Sequence, residues 1–289
     1  MRSRRRATRA GFAAVLLWSS LAVLTTATGS IPPFQLLAMG FGIAGLAGVA
    51  LLLRPGGPGA AALQQPWAAG ALGIGALFGY HALYFLALKR APAVEANLIN
   101  YLWPLLIVVF AAVSGGARVR AGQWLGAGLG LCAAALLVTR GSSLQIVGAH
   151  VPGYAAALGA AVIWALYSVL NRRFDAVPSG AMAGSCLAVG LLGGIAHVAF
   201  EATVAPTPGQ WALIIALGLG PTGIAFWLWD IGTKHGDLAV LGTLSYAAPL
   251  LSTGLLLAFG RATPHWTQAA AVVLLMAGAW LSLAESPAK

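Results

Sequence analysis

Pro104 and Pro249 stand 145 residues apart, and each follows a small polar residue by four positions, Asn100 and Ser245. A proline inside a helix has no N–H, so the carbonyl four residues back loses its donor. Those two carbonyls belong to Asn100 and Ser245. Each site offers a freed backbone acceptor beside a polar side chain, with Tyr101 and Tyr246 on the same turns. In an apolar surrounding such acceptors must be re-satisfied or must line a wet cavity. The alternative is a kink that only shapes packing.

Other residues group at helical spacing. Tyr80 and Tyr84 share a face, and His81 between them is an ionisable residue well inside an apolar stretch, where function is the default hypothesis. Trp164, Tyr167, Ser168 and Asn171 fall at i, i+3, i+4 and i+7, one aromatic and polar stripe on an otherwise apolar segment. Such a stripe should face the protein interior. Asn97, Asn100, Tyr101 and Pro104 make a further face. Glu95 suits a helix N-terminus, where the dipole favours an acid. Asp230 and Asp237 bracket Lys234 and His235 and are expected to pair locally or set topology rather than touch a ligand. His150, His197, His235 and His265 are scattered, so no metal site is expected. Cys132 and Cys186 read as small packing residues. No cofactor is expected, and the absence of a catalytic pair speaks against an enzyme.

The elements that must carry these residues follow from composition. The 289 residues are 60% hydrophobic and only 8% charged, whereas a soluble domain carries about 25% charged residues. Lipid must solvate most of this exterior. A bilayer core needs about 20 apolar residues per helix. Ten such stretches are expected, near 11–28, 33–53, 68–88, 95–114, 122–139, 152–171, 180–200, 210–229, 239–259 and 266–284. The first follows a basic run and resembles a secretory leader in outline, but it is long enough to span and reads as retained. The repeated glycines Gly122, Gly126 and Gly130 suit close helix packing within the chain, and a monomer is the expected state.

The net charge of +10 is a topology signal rather than a nucleic-acid patch, so no nucleic acid is expected as partner. With ten spans both termini share a side. If that side is the cytoplasm, it holds Arg2, Arg4, Arg5, Arg6, Arg9, Arg54, Arg118, Arg120, Arg172, Arg173, Lys234 and Lys289, against Lys89, Arg90, Arg140 and Arg261 outside. The excess of positive charge inside sets that orientation.

The chain also repeats itself. Tyr101-x-x-Pro104-Leu105-Leu106 matches Tyr246-x-x-Pro249-Leu250-Leu251, and Lys89 and Lys234 keep the same offset. Trp18 and Trp164 differ by 146. The organisation expected is a basic N-terminus 1–10, a first five-helix unit 11–140, a second 141–285 and a tail 286–289. Five is odd, so the second unit must enter the membrane from the opposite face. Such inverted repeats place a substrate site near the midplane and alternate access by rocking. The fold class is thus all-α integral membrane, ten helices as two inverted five-helix repeats around a central cavity. Helices three, four, six, eight and nine are expected to line it, with the first nearby.

Two five-span halves, each with a proline-bearing fourth helix after a tight hairpin, resemble the drug/metabolite transporter superfamily in its ten-span EamA-like branch. The stretches "LAVLGTLSYAAPLLSTGLLLAFG" (238–260) and "APAVEANLINYLWPLLIVVF" (91–110) carry the resemblance. Many members place an acid after that last glycine, where this chain has Arg261, so a role for that acid is absent. The stretch from Gly79 to Leu105 resembles amino-acid-exporting members. The resemblance implies export of aromatic and other neutral amino acids from a bacterial inner membrane. Freed carbonyls near Asn100 and Ser245 would serve the substrate ammonium. His81 and tyrosine hydroxyls would donate to its carboxylate. Tyr80, Tyr84, Tyr101, Trp103, Trp164, Ser168, Trp227 and Tyr246 complete the expected lining, with Pro104 and Pro249 as kinks. A multidrug or small-metabolite exporter is the alternative, and a membrane scaffold or receptor the non-transport one.

Overall fold

The computed structural model describes residues 2–114, 119–143, 148–260 and 263–284. Arg118, Arg261, Lys289 and the tail 286–289 lie outside the described residues. Among those described, the secondary structure is all helical, because only helices and closed barrels can satisfy every backbone polar group in lipid. Among the described residues nine helical stretches are long and apolar enough to cross a membrane, and the shorter apolar stretch Trp266–Ser282 follows them.

The first crossing is broken into α1 (Arg2–Trp18) and α2 (Leu21–Ala27). Next come α3 (Pro33–Leu53) and α4 (Trp67–Arg90). The fourth crossing splits into α5 (Ala93–Asn100) and α6 (Trp103–Val113). Then follow α7 (Ala121–Thr139), α8 (Val151–Leu170) and α9 (Ala181–Phe200). The eighth crossing comprises α10 (Pro208–Leu219), a π-turn over Gly220–Ile224 and α11 (Ala225–His235). The ninth splits into α12 (Leu238–Ser245) and α13 (Ala247–Ala258), and α14 (Trp266–Ala284) ends the bundle. Both expected breaks are present, each beginning at the residue four before its proline. Pro104 and Pro249 are buried in protein rather than turned to lipid.

α3 packs along α9, α7 along α14, α4 along α8 and α1 along α11. Small residues make these seams, since apolar side chains gain little from leaving lipid for protein. A Cβ added at Gly232 would stand 2.6 Å from the Gly11 backbone, and one at Gly190 would stand 2.8 Å from Gly42. Gly126 faces the Gly278 carbonyl, and Gly130 faces the Tyr246 ring. The glycine stripe of α7 therefore packs within the chain. Leu46, Leu191, Ile195, Val273 and Met276 are exposed around the belt, and Trp67, Trp211 and Trp266 are exposed at helix starts, as interfacial tryptophans are in membrane helices.

Contacts define two ends of the bundle. At one end Arg4 reaches Asp237 at 2.9 Å, Asp237 N–H donates to Thr8 Oγ1, and Arg172 donates to the Gly236 carbonyl. At the other, Glu201 accepts from the N–H groups of Phe34 and Gln35 at 2.9 and 3.0 Å, so it caps α3. His197 bonds the same carboxylate, and Gln210 Nε2 reaches the Thr28 carbonyl at 2.7 Å.

Candidate functional site

α1, α3, α4, α6, α8 and α11 converge on one cluster of rings. Trp164 is its hub: Trp18 meets it edge-on at 5.6 Å, and Trp229 stacks at 6.1 Å. Phe226, Tyr80 and Tyr167 stand at 5.7, 5.7 and 5.2 Å, and Trp103 closes one side at 6.5 Å. The local pattern explains the convergence. In α8 and the turn that follows it the stripe Trp164, Tyr167, Ser168 and Asn171 faces inward as its spacing predicts, and all four are buried. In α11 an equivalent stripe, Phe226, Trp229, Asp230 and Thr233, faces it, again at i, i+3, i+4 and i+7. Trp229 Nε1 donates to Ser168 Oγ at 3.1 Å, and Ser168 Oγ donates to the Trp164 carbonyl. Trp18 Nε1 donates to the Pro221 carbonyl at 3.0 Å, joining the break in the first crossing to the π-turn in the eighth. π-turns that interrupt helices are frequent at functional places.

The polar edge of the cluster lies on α4 and α5. Asn100 Nδ2 donates to the Tyr80 hydroxyl at 3.0 Å, while Asn100 Oδ1 is buried without a hydrogen-bond partner among the described residues. Tyr80 accepts from Asn100, so its own hydroxyl proton is free to donate. Tyr84 stacks on Tyr80 at 6.0 Å and donates to Asn97 Oδ1. His81 sits among Phe41, Tyr80, Phe85 and Phe226. Its Nδ1 lies 2.6 Å from the Leu77 carbonyl. A carbonyl only accepts, so Nδ1 carries the proton and Nε2 of the neutral ring is an acceptor. The neutral ring therefore lacks the spare donor that the expected carboxylate contact requires.

Three expected lining residues stand elsewhere. Trp227 is 47% exposed on the outer surface, because the buried face of α11 runs through its neighbours Phe226 and Trp229. Tyr101 and Tyr246 pack with Val108, Ala127 and Ala134 toward α7. One residue is about 100° of helix turn, so when Asn100 faces Tyr80 its neighbour Tyr101 turns sideways; Tyr246 follows Ser245 in the same way. Ser245 is buried and donates to the Leu241 carbonyl at 2.7 Å. The ninth crossing thus adds no ring to the cluster, whereas the first and third helices, α1 and α3, add Trp18 and Phe41. Trp18, Phe41, Phe226 and Trp229 were missed, although the α11 stripe has the same spacing as the α8 stripe that was read.

Asp230 and Lys234 pair locally, as expected, but at 2.8 Å with both side chains buried. Asn171 Nδ2 donates to Asp230 Oδ1 at 2.8 Å and to Thr233 Oγ1 at 3.0 Å. Lys234 Nζ also donates to the Val177 carbonyl. α11 continues to His235, which brings Asp230 about 7 Å inside the helix end at 1.5 Å per residue.

The model of the EamA-like transporter family matches residues 8–139 and again 151–284. The chain belongs to the EamA-like transporter family. It is a multi-pass membrane protein, and a transporter by family rather than an enzyme. This transporter is 49% identical over 278 residues to the aromatic amino acid exporter YddG of Ancylobacter novellus, with 96% of each chain covered. It is 27% identical over 275 residues to the protein of the same name from Escherichia coli, covering 88% of each. A solved crystal structure matches with a TM-score of 0.92 at 48% identity, covering 96% of both chains.

Proposed function

We propose that this protein exports aromatic and other neutral amino acids across a bacterial inner membrane by alternating access through the ring-lined centre. The observation that carries this is the pairing, in one buried place, of an aromatic cluster with two opposite hydrogen-bonding needs. Asn100 Oδ1 is an acceptor without a partner among the described residues, and the Asn100 carbonyl has no donor from Pro104. Beside them the Tyr80 hydroxyl keeps a proton to give. Acceptors suit an ammonium and a donor suits a carboxylate, while Trp164, Trp103 and Trp18 suit an apolar or aromatic side chain. His81 Nε2 adds an acceptor. The names of the two relatives support the substrate class.

The two units, 11–140 and 141–285, are inverted copies, which the doubled family match supports. The partner helices fit this too: exchanging the halves turns the pairing of α4 with α8 into that of α11 with α1. Both termini lie in the cytoplasm, so the Arg4–Asp237 end is the cytoplasmic one. The chain works as a monomer, since its glycine stripe is spent on internal packing, and its partners are the substrate and lipid. Counterflow in liposomes, with labelled phenylalanine and a panel of neutral amino acids, tests the proposal. Accumulation of labelled amino acid is expected; its absence across the panel, with the protein folded and inserted, would overturn it.

A further inference from the structure

Beside the ring cluster, at the Arg4–Asp237 end of the bundle, lies a polar cavity. It is a cavity of about 20 Å³ lined in part by Gln65, Tyr167, Asn171, Ser185, Asp230 and Lys234. Its walls hold the ion pair described above, so one carboxylate and one ammonium stand side by side at 2.8 Å. The Tyr167 hydroxyl there is buried without a hydrogen-bond partner among the described residues. Tyr167 also touches the hub: its ring lies 5.2 Å from Trp164, one turn along the same helix. Trp229, in the ring cluster, precedes Asp230 directly.

We infer that Asp230 and Lys234 form a loading station that reads the zwitterionic end of an α-amino acid on the cytoplasmic side. This rests on the proposed substrate class and orientation. In the present state the two groups neutralise each other, and a 20 Å³ cavity admits no more than a water. When this end opens, the pair parts. Lys234 takes the substrate carboxylate, while Asp230, held by Asn171, takes the ammonium. Lys234 simultaneously releases the Val177 carbonyl, which now ties α11 to the segment before α9. Two opposite charges exchanged for two opposite charges leave no buried charge uncompensated, the condition under which a buried ion pair can be opened.

Asymmetry between the halves points the same way. At the common offset of 145, Lys234 corresponds to Lys89 and Asp230 to Phe85. Lys89 is exposed and has no acid a turn before it. A structural pair needed by the fold of each half would be expected in both, whereas a station that serves loading is needed at one end only.

The test uses the reconstituted full chain, with half-saturation measured separately from each face. The double substitution D230N/K234M keeps side-chain volume and strands no charge. It is expected to raise the cytoplasmic half-saturation for phenylalanine about tenfold while leaving the outer-face value within twofold. K234M alone should weaken phenylalanine but not phenylalanine amide, which lacks the carboxylate. D230N alone should weaken phenylalanine but not its N-acetyl derivative, which lacks the ammonium. If the double variant matches the parent from both faces, or if both faces weaken equally, the pair is a structural tie and the inference falls. Failure of the parent itself to carry phenylalanine would instead sink the proposed function.

Discussion

Replacing Pro104 by alanine should weaken transport and strengthen the fold, and the opposite signs make the prediction informative. Proline leaves the Asn100 carbonyl without its intrahelical donor, between the end of α5 at Asn100 and the start of α6 at Trp103. Alanine at 104 restores an N–H aimed at that carbonyl. One added intrahelical hydrogen bond contributes about 1 kcal/mol, and the backbone between the two segments, already near helical at Leu102 (φ −69°, ψ −20°), need move little to make it. The substrate side loses a charge-assisted hydrogen bond to its ammonium, about 1.5–3 kcal/mol. At about 1.4 kcal/mol per factor of ten, half-saturation should rise about ten- to a hundredfold. Counterflow with labelled phenylalanine reads the affinity, and thermal unfolding in detergent reads the fold. An unchanged half-saturation in a protein at least as stable as the parent would refute the claim that the freed carbonyl meets substrate. A large loss of stability would refute the claim that the break is held open by the proline.

Four other outcomes follow from the same geometry. Trp164→Ala removes the hub that touches Trp18, Tyr80, Phe226 and Trp229; transport of phenylalanine should fall at least tenfold, while Trp227→Ala, at the exposed surface, should change it less than twofold in the same liposomes. Gly130→Leu drives a side chain into the Tyr246 ring, and overpacking of this kind costs about 1–3 kcal/mol, to be read as a lower unfolding temperature. Glu201→Gln withdraws the negative charge that caps α3 through Phe34 and Gln35; a charge at a helix N-terminus contributes about 0.3–1 kcal/mol, up to about 2 when partly buried, again measurable by thermal unfolding. His81→Asn keeps a donor for the Leu77 carbonyl and should hold the unfolding temperature nearer the parent than His81→Leu does, which has none; equal stability would show that the Nδ1 contact contributes nothing.

Much of the architecture was readable because lipid imposes a coarse code: about 20 apolar residues per crossing, basic residues at the ends, and small residues where helices touch. The break at each proline and the inward stripe of α8 came from the same reasoning about period and missing donors. What escaped was rotation. Sequence placed Tyr101 and Tyr246 on the right turns, yet one residue of helix is about 100°, and that difference sends them to α7 while Asn100 faces Tyr80. Trp227 failed for the same reason, since an isolated tryptophan gives no direction. The stripe Phe226, Trp229, Asp230 and Thr233 does give one, and reading it would have returned both the aromatic partners of Trp164 and the buried acid.

That acid changes how the site should be regarded electrostatically. A transporter for a net-neutral solute needs no fixed net charge at its binding groups, and the groups described here carry none: Asp230 is neutralised by Lys234, and the polar groups of the ring cluster are amide, hydroxyl, imidazole and backbone. A solute with a surplus charge would have to bring that charge into a region where no counter-charge is free. The same arrangement that tolerates a zwitterion therefore penalises an organic cation lacking a carboxylate, because binding its ammonium to Asp230 leaves Lys234 buried and unpaired, a cost of about 3–5 kcal/mol. Selectivity against amines relative to amino acids then arises from the pair rather than from the shape of the aromatic walls. Phenethylamine, which keeps the ring and the ammonium of phenylalanine, should be carried at least a hundredfold less efficiently from the cytoplasmic face. The D230N/K234M variant should narrow that ratio by slowing phenylalanine, whereas a ratio that stays unchanged would return the discrimination to Tyr80 and the ring cluster.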